Sequence, residues 1–153
     1  MNNEIEALKP LPNRDSDWSR DSNLYKTFWE ATRQGRLMVQ ECQVTGKKVW
    51  PPRFLSPFAP GTELKWVSVP TSGVVYTFNV VYRSFYPYFN DKVPYALVVV
   101  DLGDGVRLLG NTVGMDPTQI QIGMRMEAVF EKVDEQVTLV QWKPEDRGGQ
   151  DGA

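Results

Sequence analysis

The second half of the sequence is a series of short apolar segments separated by turn residues. The segments cover residues 64–69, 74–83, 95–102, 106–113, 125–133 and 136–142. Turn signals lie between them at Ser72-Gly73, Gly103-Asp104-Gly105 and Asp134-Glu135. Strands and turns this short predict a mostly antiparallel β structure. With one short helical turn after Met115, five such strands fit a Greek-key barrel of the OB type.

The first half of the sequence predicts one helix. Apolar residues within 22–34, "SNLYKTFWEATRQ", recur at steps of three and four, which is typical of a helix with one apolar face. Ser22 or Asp21 can cap the start of this helix, and Gly35 can end it.

Residues 42–59, "CQVTGKKVWPPRFLSPFA", have the spacing of a zinc ribbon without its ligands. A structural zinc site commonly uses two Cys-x-x-Cys knuckles. The four ligand positions here hold Cys42, Thr45, Ser56 and Ala59. One thiolate, two neutral hydroxyls and a methyl group cannot hold zinc, so we expect this ribbon to bind no metal.

These patterns predict a mainly β protein with an N-terminal helix, a small metal-free ribbon and a five-stranded barrel. The expected divisions are a flexible arm at 1–18, the helix at 19–37, the ribbon-like segment at 38–62, the barrel at 63–144 and a disordered tail at 145–153.

The composition excludes several classes of enzyme. The 153 residues include no histidine, so the chain cannot build a Ser-His-Asp triad, a Cys-His pair or a histidine-ligated metal site. Its single cysteine, Cys42, cannot form an intramolecular disulfide and has no histidine to activate it. We therefore assign no catalytic residue and expect no activity from the chain alone.

The charge balance argues against a polyanionic partner. A formal net charge of −2 and a pI of about 5.2 provide no global attraction to nucleic acid or to an anionic membrane. The apolar runs are too short to span a bilayer, and the first residues, "MNNEIEALKPLPNRD", lack the apolar core of a secretory signal. We expect a soluble, cytoplasmic protein.

The order of motifs along residues 22–144 resembles the DUF35 family. The motifs that carry the resemblance are Phe28-Trp29, Gly35-x-Leu37, Cys42-x-x-Thr45-Gly46, Pro51-Pro52-Arg53, Ser56-Pro57-x-Ala59, Trp66, "SGVVYTFNVVYR", "VPYALVVVDLGDGVRLLGN" and "IGM". The resemblance implies a helical arm, a rubredoxin-like zinc ribbon and an OB fold. The chain departs from the family where Thr45, Ser56 and Ala59 replace cysteines. Packing must then hold the ribbon, and the candidates are Val49, Trp50, Phe54, Leu55 and Phe58.

The resemblance also implies a function. Similar proteins work beside an acyl-CoA enzyme, which is a thiolase-superfamily thiolase, acyltransferase or retro-aldolase, or a MaoC-type hydratase. This chain would be a non-catalytic subunit of such a hetero-oligomer, supporting the assembly and the substrate channel of its partner, with a coenzyme A thioester as possible ligand. Two alternatives are a single-strand nucleic-acid-binding OB module and a free-standing acyl-CoA binder.

Two groups of residues are candidates for binding. Basic residues that could pair with coenzyme A phosphates are Arg33, Arg36, Lys47, Lys48 and Arg53. The alternative is a solvated turn, with Arg53 bonding the backbone of the proline-rich segment 51–60. Aromatic residues that could contact a partner or an acyl chain are Tyr82, Phe85, Tyr86, Tyr88 and Phe89. The same aromatic residues could instead close the barrel as core or stack on bases.

Overall fold

The computed structural model describes residues 24–146, which form one α-helix, eight β-strands and two short 3-10 helices. The helix is α1 (Lys26–Arg33). The strands are β1 (Leu37–Cys42), β2 (Lys48–Val49), β3 (Leu64–Val69), β4 (Ser72–Val81), β5 (Tyr95–Gly103), β6 (Val106–Asn111), β7 (Arg125–Lys132) and β8 (Thr138–Pro144). The 3-10 helices are Pro87–Phe89 and Pro117–Gln119. The second of these is the helical turn that the sequence predicts after Met115.

Helix α1 ends at Arg33, before the predicted end at residue 37, and lies between two sheets. Its buried residues are Phe28, Ala31 and Thr32, and it contacts β1 on one side and β7 and β8 on the other. Gly35 ends the helix as predicted, because its φ of 68° belongs to the left-handed region that glycine adopts without strain. The predicted caps and the arm at 1–18 lie outside the described residues. No helix within residues 24–146 is long and apolar enough to cross a lipid bilayer.

The first sheet contains three antiparallel strands in the order β2-β1-β3. Strand β3 pairs with β1 over six residues, from Leu37↔Val69 to Cys42↔Leu64. The prediction that the barrel strands begin at residue 63 is therefore corrected, since β3 belongs to the ribbon sheet and β4 is the first strand of the barrel. The apolar pattern of β3 suits either sheet, and only its pairing with β1 distinguishes them.

The second sheet is the OB-type barrel. Its five antiparallel strands follow the order β6-β5-β4-β7-β8, and a parallel bridge between Thr112 and Trp142 joins the two outer strands. The backbone N–H of Val113 donates to the Trp142 carbonyl at 2.8 Å across this bridge. This strand order and the joining bridge confirm the predicted Greek-key barrel.

The barrel core follows the alternation of its strands. Strand β5 buries every second side chain, from Ala96 to Leu102, and these pack against Met126 and Trp142. Gly73, predicted to lie in a turn, lies inside β4 instead. A Cβ there would lie 2.1 Å from the Asp101 carbonyl oxygen of β5, so only glycine allows the two strands to approach this closely.

The last described residues continue the barrel beyond the predicted boundary. The sequence places 145–153 in a disordered tail, but the N–H of Glu145 donates to the Arg125 carbonyl at 3.0 Å. The Glu145 carboxylate also accepts from Arg125 Nε at 2.6 Å. The remainder of the predicted tail, 147–153, lies outside the described residues.

Candidate functional site

The two knuckles of the ribbon keep the same local geometry although they carry different residues. Cys42 Sγ accepts hydrogen bonds from the backbone N–H groups of Val44 and Thr45. Ser56 Oγ accepts from the N–H groups of Phe58 and Ala59 at 3.1 and 3.3 Å. In both knuckles a side-chain atom therefore binds the amides two and three residues later. The serine oxygen has the role that a second sulfur would have.

A hydrogen bond joins the knuckles where a zinc ribbon would use a metal. The hydroxyls of Ser56 and Thr45 both donate to Cys42 Sγ. These bonds lower the pKa of the Cys42 thiol from its ordinary value of 9.0 to about 7, with the Ser56 bond making the largest contribution. The Cys42 side chain is fully buried.

The residues at the four ligand positions do not fit zinc. Ser56 Oγ already accepts two amide bonds, neutral hydroxyls are poor zinc ligands, and Ala59 has no donor atom. Across residues 24–146, no group of three or more His, Cys, Asp or Glu side chains is placed to hold a metal ion.

The packing predicted to support the ribbon is correct for two of its five residues. Val49 is buried, and the Trp50 ring lies 4.7 Å from the ring of Phe28 in α1. The prediction is wrong for the other three, whose exposed fractions are 63% for Phe54, 52% for Leu55 and 45% for Phe58. We call these three residues and exposed Val44 the ribbon patch. These four apolar side chains thus face solvent.

The structure divides the predicted basic cluster into two groups. Arg33 Nη1 donates to the Gln136 carbonyl in the β7–β8 turn at 2.9 Å, and Arg36 Nη2 donates to Gln34 Oε1 at 2.5 Å. The hydrogen bonds of these two arginines therefore stabilise the end of α1. The other three basic residues belong to the ribbon.

The three ribbon cations have different partners. Lys48 Nζ pairs with Glu41 Oε2 at 2.6 Å, and Lys47 Nζ lies 5.0 Å from the centre of the Phe58 ring. The Arg53 backbone is held by the Gln40 side chain, a contact that the sequence did not predict. Within residues 24–146, the exposed Arg53 guanidinium makes no hydrogen bond or ion pair.

The predicted aromatic group also divides into two parts. Tyr82, Phe85 and Tyr86 are 67%, 90% and 69% exposed, so this part is not barrel core. Tyr88 and Phe89 are half-buried, and the Phe89 ring stacks on Tyr95 at 4.8 Å. We call residues 82–89, which follow β4, the aromatic loop.

The half-buried end of the aromatic loop lines a cavity of about 270 Å³ at the mouth of the barrel. The loop side is formed by Tyr88, Phe89, Lys92, Pro94 and Tyr95. The barrel side is formed by Asn111, Thr112, Glu131 and Gln141, and Pro117 completes the lining. Sequence reasoning missed the barrel side, because these polar residues lie on three separate strands or their ends and share no motif.

Three polar residues of the cavity, Asn111, Glu131 and Gln141, form one connected network. Gln141 Oε1 accepts from the backbone N–H of Asn111 at 2.7 Å, and Gln141 Nε2 donates to Glu131 Oε2 at 3.1 Å. Asn111 Nδ2 donates to the Ala96 carbonyl at 3.2 Å. These bonds fix the orientation of both amides and leave Glu131 Oε1 and Asn111 Oδ1 without a hydrogen bond among the described residues.

Comparison with known proteins identifies the family. Residues 66–131 match the family model described as the ChsH2 C-terminal OB-fold domain. A solved structure titled "Ltp2-ChsH2(DUF35) aldolase" superposes with a TM-score of 0.72 at 29% identity, covering 89% of this chain and 98% of that chain. The chain belongs to the DUF35 family.

Two curated relatives extend the comparison of this DUF35 protein. A Methanocaldococcus jannaschii protein named "DUF35 domain-containing scaffold protein" is 28% identical over 76% of this chain and 82% of its own length. A Thermomonospora curvata protein named "Probable enoyl-CoA hydratase alpha subunit" is 32% identical over 91% of this chain. The DUF35 chain spans only 41% of that second relative.

Proposed function

We propose that this DUF35 protein is a non-catalytic accessory subunit of a cytoplasmic acyl-CoA-processing complex, docked on a thiolase-superfamily enzyme. The observation that carries the proposal is the match to the ChsH2 chain, whose structure is titled as an aldolase and of which 98% is covered. Near-complete coverage means that helix, ribbon and barrel all have counterparts in that chain. The relatives named as a scaffold and as a hydratase subunit support the same class of role.

Exposed apolar side chains support a docking role. The ribbon patch and the outer part of the aromatic loop each present large apolar or aromatic side chains to solvent. A few buried aromatic anchors can supply most of the free energy of a protein interface. Phe85 is 90% exposed, so burying its ring under a partner would remove the most apolar surface from water and contribute most to the binding free energy.

The ribbon cations support a role in holding coenzyme A. Lys47, Lys48 and Arg53 lie on one short segment, and Lys48 is paired with Glu41. The exposed Arg53 guanidinium would be the main phosphate ligand, because its planar geometry binds phosphate through two hydrogen bonds. The thioester would be held partly by this chain and partly by the partner. No resident metal or other cofactor enters the proposal.

The catalytic groups would come from the partner. The chain has no histidine, and its only thiol is buried and bonded to Ser56. Its contribution would be to order the loops of the partner and to exclude water around the reacting thioester.

The test is co-purification followed by assay. A tagged chain expressed in its own host should capture a thiolase-superfamily or MaoC-type protein, identified by mass spectrometry, in a defined stoichiometry. The reconstituted pair should turn over an acyl-CoA thioester, and the purified chain alone should not. Turnover by the chain alone at an enzyme-like rate, or reconstituted activity that is independent of this chain, would contradict the proposal.

A matched pair of variants sharpens the test. Phe85→Ala removes the most exposed aromatic ring, whereas Ile122→Ala removes an aliphatic group that is 70% exposed outside both apolar regions. Phe85→Ala should weaken assembly by about tenfold or more, and Ile122→Ala should leave it unchanged. Equal effects of the two variants would argue against the aromatic loop as an anchor.

A further inference from the structure

We propose that the cavity at the barrel mouth binds a neutral planar heterocycle of the nucleobase class. In the complex proposed above, on which this assignment partly rests, that ring is the adenine of the coenzyme A thioester. The cavity is distinct from the ribbon cations, and it lies between the aromatic loop and strands β6, β7 and β8.

The size of the cavity limits what can enter it. Pockets for drug-sized ligands typically enclose about 300–1,000 Å³, and this cavity encloses about 270 Å³. One ring system therefore fits, whereas an extended ligand must continue outside. Adenine at one end of a long molecule meets this condition, because the rest of coenzyme A can leave through the open side.

The loop side of the cavity suits the face of a flat ring. Tyr88, Phe89 and Tyr95 contribute three aromatic rings, and Phe89 is already held against Tyr95 at 4.8 Å. Aromatic side chains stack on any of the nucleobases, because each base has a π face.

The barrel side suits the edge of a ring that carries both donors and acceptors. Glu131 Oε1 and Asn111 Oδ1 can accept hydrogen bonds, and the second N–H of Gln141 can donate one. The Thr112 hydroxyl, on another lining residue, is shielded from solvent and has no partner among the described residues. An aliphatic acyl chain would cover these polar groups without satisfying them, which disfavours it as the occupant.

The charges that line the cavity disfavour an anion. Glu131 contributes a carboxylate, and among residues 24–146 the only lining cation is Lys92. Lys92 Nζ is already committed, since it donates to the Tyr88 carbonyl at 3.1 Å and lies 3.8 Å from the centre of the Tyr88 ring. A phosphate or an acyl carboxylate would therefore meet a carboxylate without a free cation, whereas a neutral base would not.

The experiment is a calorimetric titration of the purified chain with adenosine, which has the base and no phosphate. Wild type should bind it, and Tyr88→Ala should weaken binding by at least about fivefold, the lower end of what one stacked base contributes. Ile122→Ala is the control, because Ile122 is exposed, lies outside both apolar regions and does not line the cavity. It should change affinity by less than about twofold. Tyr88→Leu, which keeps apolar bulk without the ring, separates stacking from loss of loop structure and should also weaken binding.

Further outcomes decide the proposal. Coenzyme A should compete with adenosine, and 4′-phosphopantetheine, which lacks the base, should not. No adenosine binding by wild type, or equal losses in Tyr88→Ala and Ile122→Ala, would overturn the assignment. A single-stranded oligo(dA) that binds far more tightly than coenzyme A at physiological salt would also overturn it, by favouring nucleic acid as the source of the base.

A separate experiment tests the proposed function. The Tyr88→Ala variant lacks the proposed base site, so its capture of the thiolase-superfamily partner measures docking alone. Docking retained with no adenosine binding in wild type would reject the cavity assignment alone. Adenosine binding in a chain that captures no acyl-CoA enzyme would reject the proposed function alone.

Discussion

The Ser56 hydroxyl donates a hydrogen bond to Cys42 Sγ and joins the two knuckles of the ribbon. Each of these two atoms also accepts the backbone amides two and three residues beyond it. Side-chain hydrogen bonds therefore hold each knuckle and connect the two, at positions whose residues do not form a set of metal ligands.

Replacing Ser56 with alanine should destabilise the protein measurably. The change removes the acceptor of two amides and the donor to Cys42, in a position that is 8% exposed. We expect a loss of about 1–3 kcal/mol in the free energy of unfolding, measured by urea denaturation. Ser68→Ala, at an exposed position on β3, is the control and should have little effect. Equal stability of Ser56→Ala and wild type would show that the knuckles do not depend on this bond.

The same hydrogen bonds predict a pH dependence of stability. The folded pKa of Cys42 is about 7, below its ordinary value of 9.0, so between these values the unfolded chain binds more protons at this residue. This contribution to stability should therefore rise from pH 7 to pH 9 and be lost as the pH falls through about 7. Thermal unfolding of wild type and Cys42→Ala across this range measures it, because the difference in Tm should grow with pH. A difference that is constant or that shrinks would contradict the lowered pKa.

Restoring the missing thiols should restore a metal site. The variant Thr45→Cys, Ser56→Cys, Ala59→Cys places four cysteines on knuckles whose amide geometry is already correct. We expect one zinc ion per chain by elemental analysis and a higher Tm with zinc than with a chelator. The control is Thr45→Cys, Ser56→Cys, which supplies only three thiols and should bind zinc more weakly. Failure of the four-cysteine chain to bind zinc would show that the two knuckles no longer converge.

Removing the ribbon cations should weaken acyl-CoA binding by the assembled complex. Lys47→Gln, Lys48→Gln, Arg53→Gln takes away three positive charges near the proposed phosphate site. We expect affinity to fall by about tenfold or more in calorimetry, with a weaker dependence on salt. The matched control is Arg125→Gln, Lys132→Gln, Lys143→Gln, which removes three cations from β7 and β8 and should leave affinity nearly unchanged. If the two variants lose affinity equally, general charge and not a phosphate site explains the effect.

Gly110 should not tolerate alanine. A Cβ at this position would lie 2.7 Å from the Val140 carbonyl oxygen and 2.8 Å from Trp142 Cδ1, beside the bridge that joins β6 to β8. We expect Gly110→Ala to lose about 1–3 kcal/mol in urea denaturation, because buried Trp142 has no room to move aside. Gly73→Ala, where the close contact is with backbone at 2.1 Å, should lose more. The reverse order would contradict the packing described for the two strands.

Local patterns predicted most of the fold, and pairing between distant segments decided the rest. The bounds of β1 and β3 follow from their residues, but the sheet to which β3 belongs depends on its register with β1. The missing zinc ligands were visible as a spacing around Cys42. The bond from Ser56 to Cys42 was not, because it depends on how the two knuckles meet.

The candidate sites show the same limit. The aromatic loop is a dense run in the sequence, so its residues were found, although only the structure separates exposed Phe85 from half-buried Phe89. Asn111, Glu131 and Gln141 come together only when β6, β7 and β8 close the barrel. A carboxylate near the end of a strand, such as Glu131, carries no local sign that it will face a cavity.

Helix α1 connects the two sheets. Phe28 belongs to the core cluster that includes β1 and barrel residues, its ring lies 4.7 Å from Trp50 of the ribbon, and Arg33 binds the β7–β8 turn. A partner protein that binds the ribbon therefore also fixes the orientation of the barrel. Two reacting sites on one partner would then be held at a fixed distance and orientation by this single helix of eight residues.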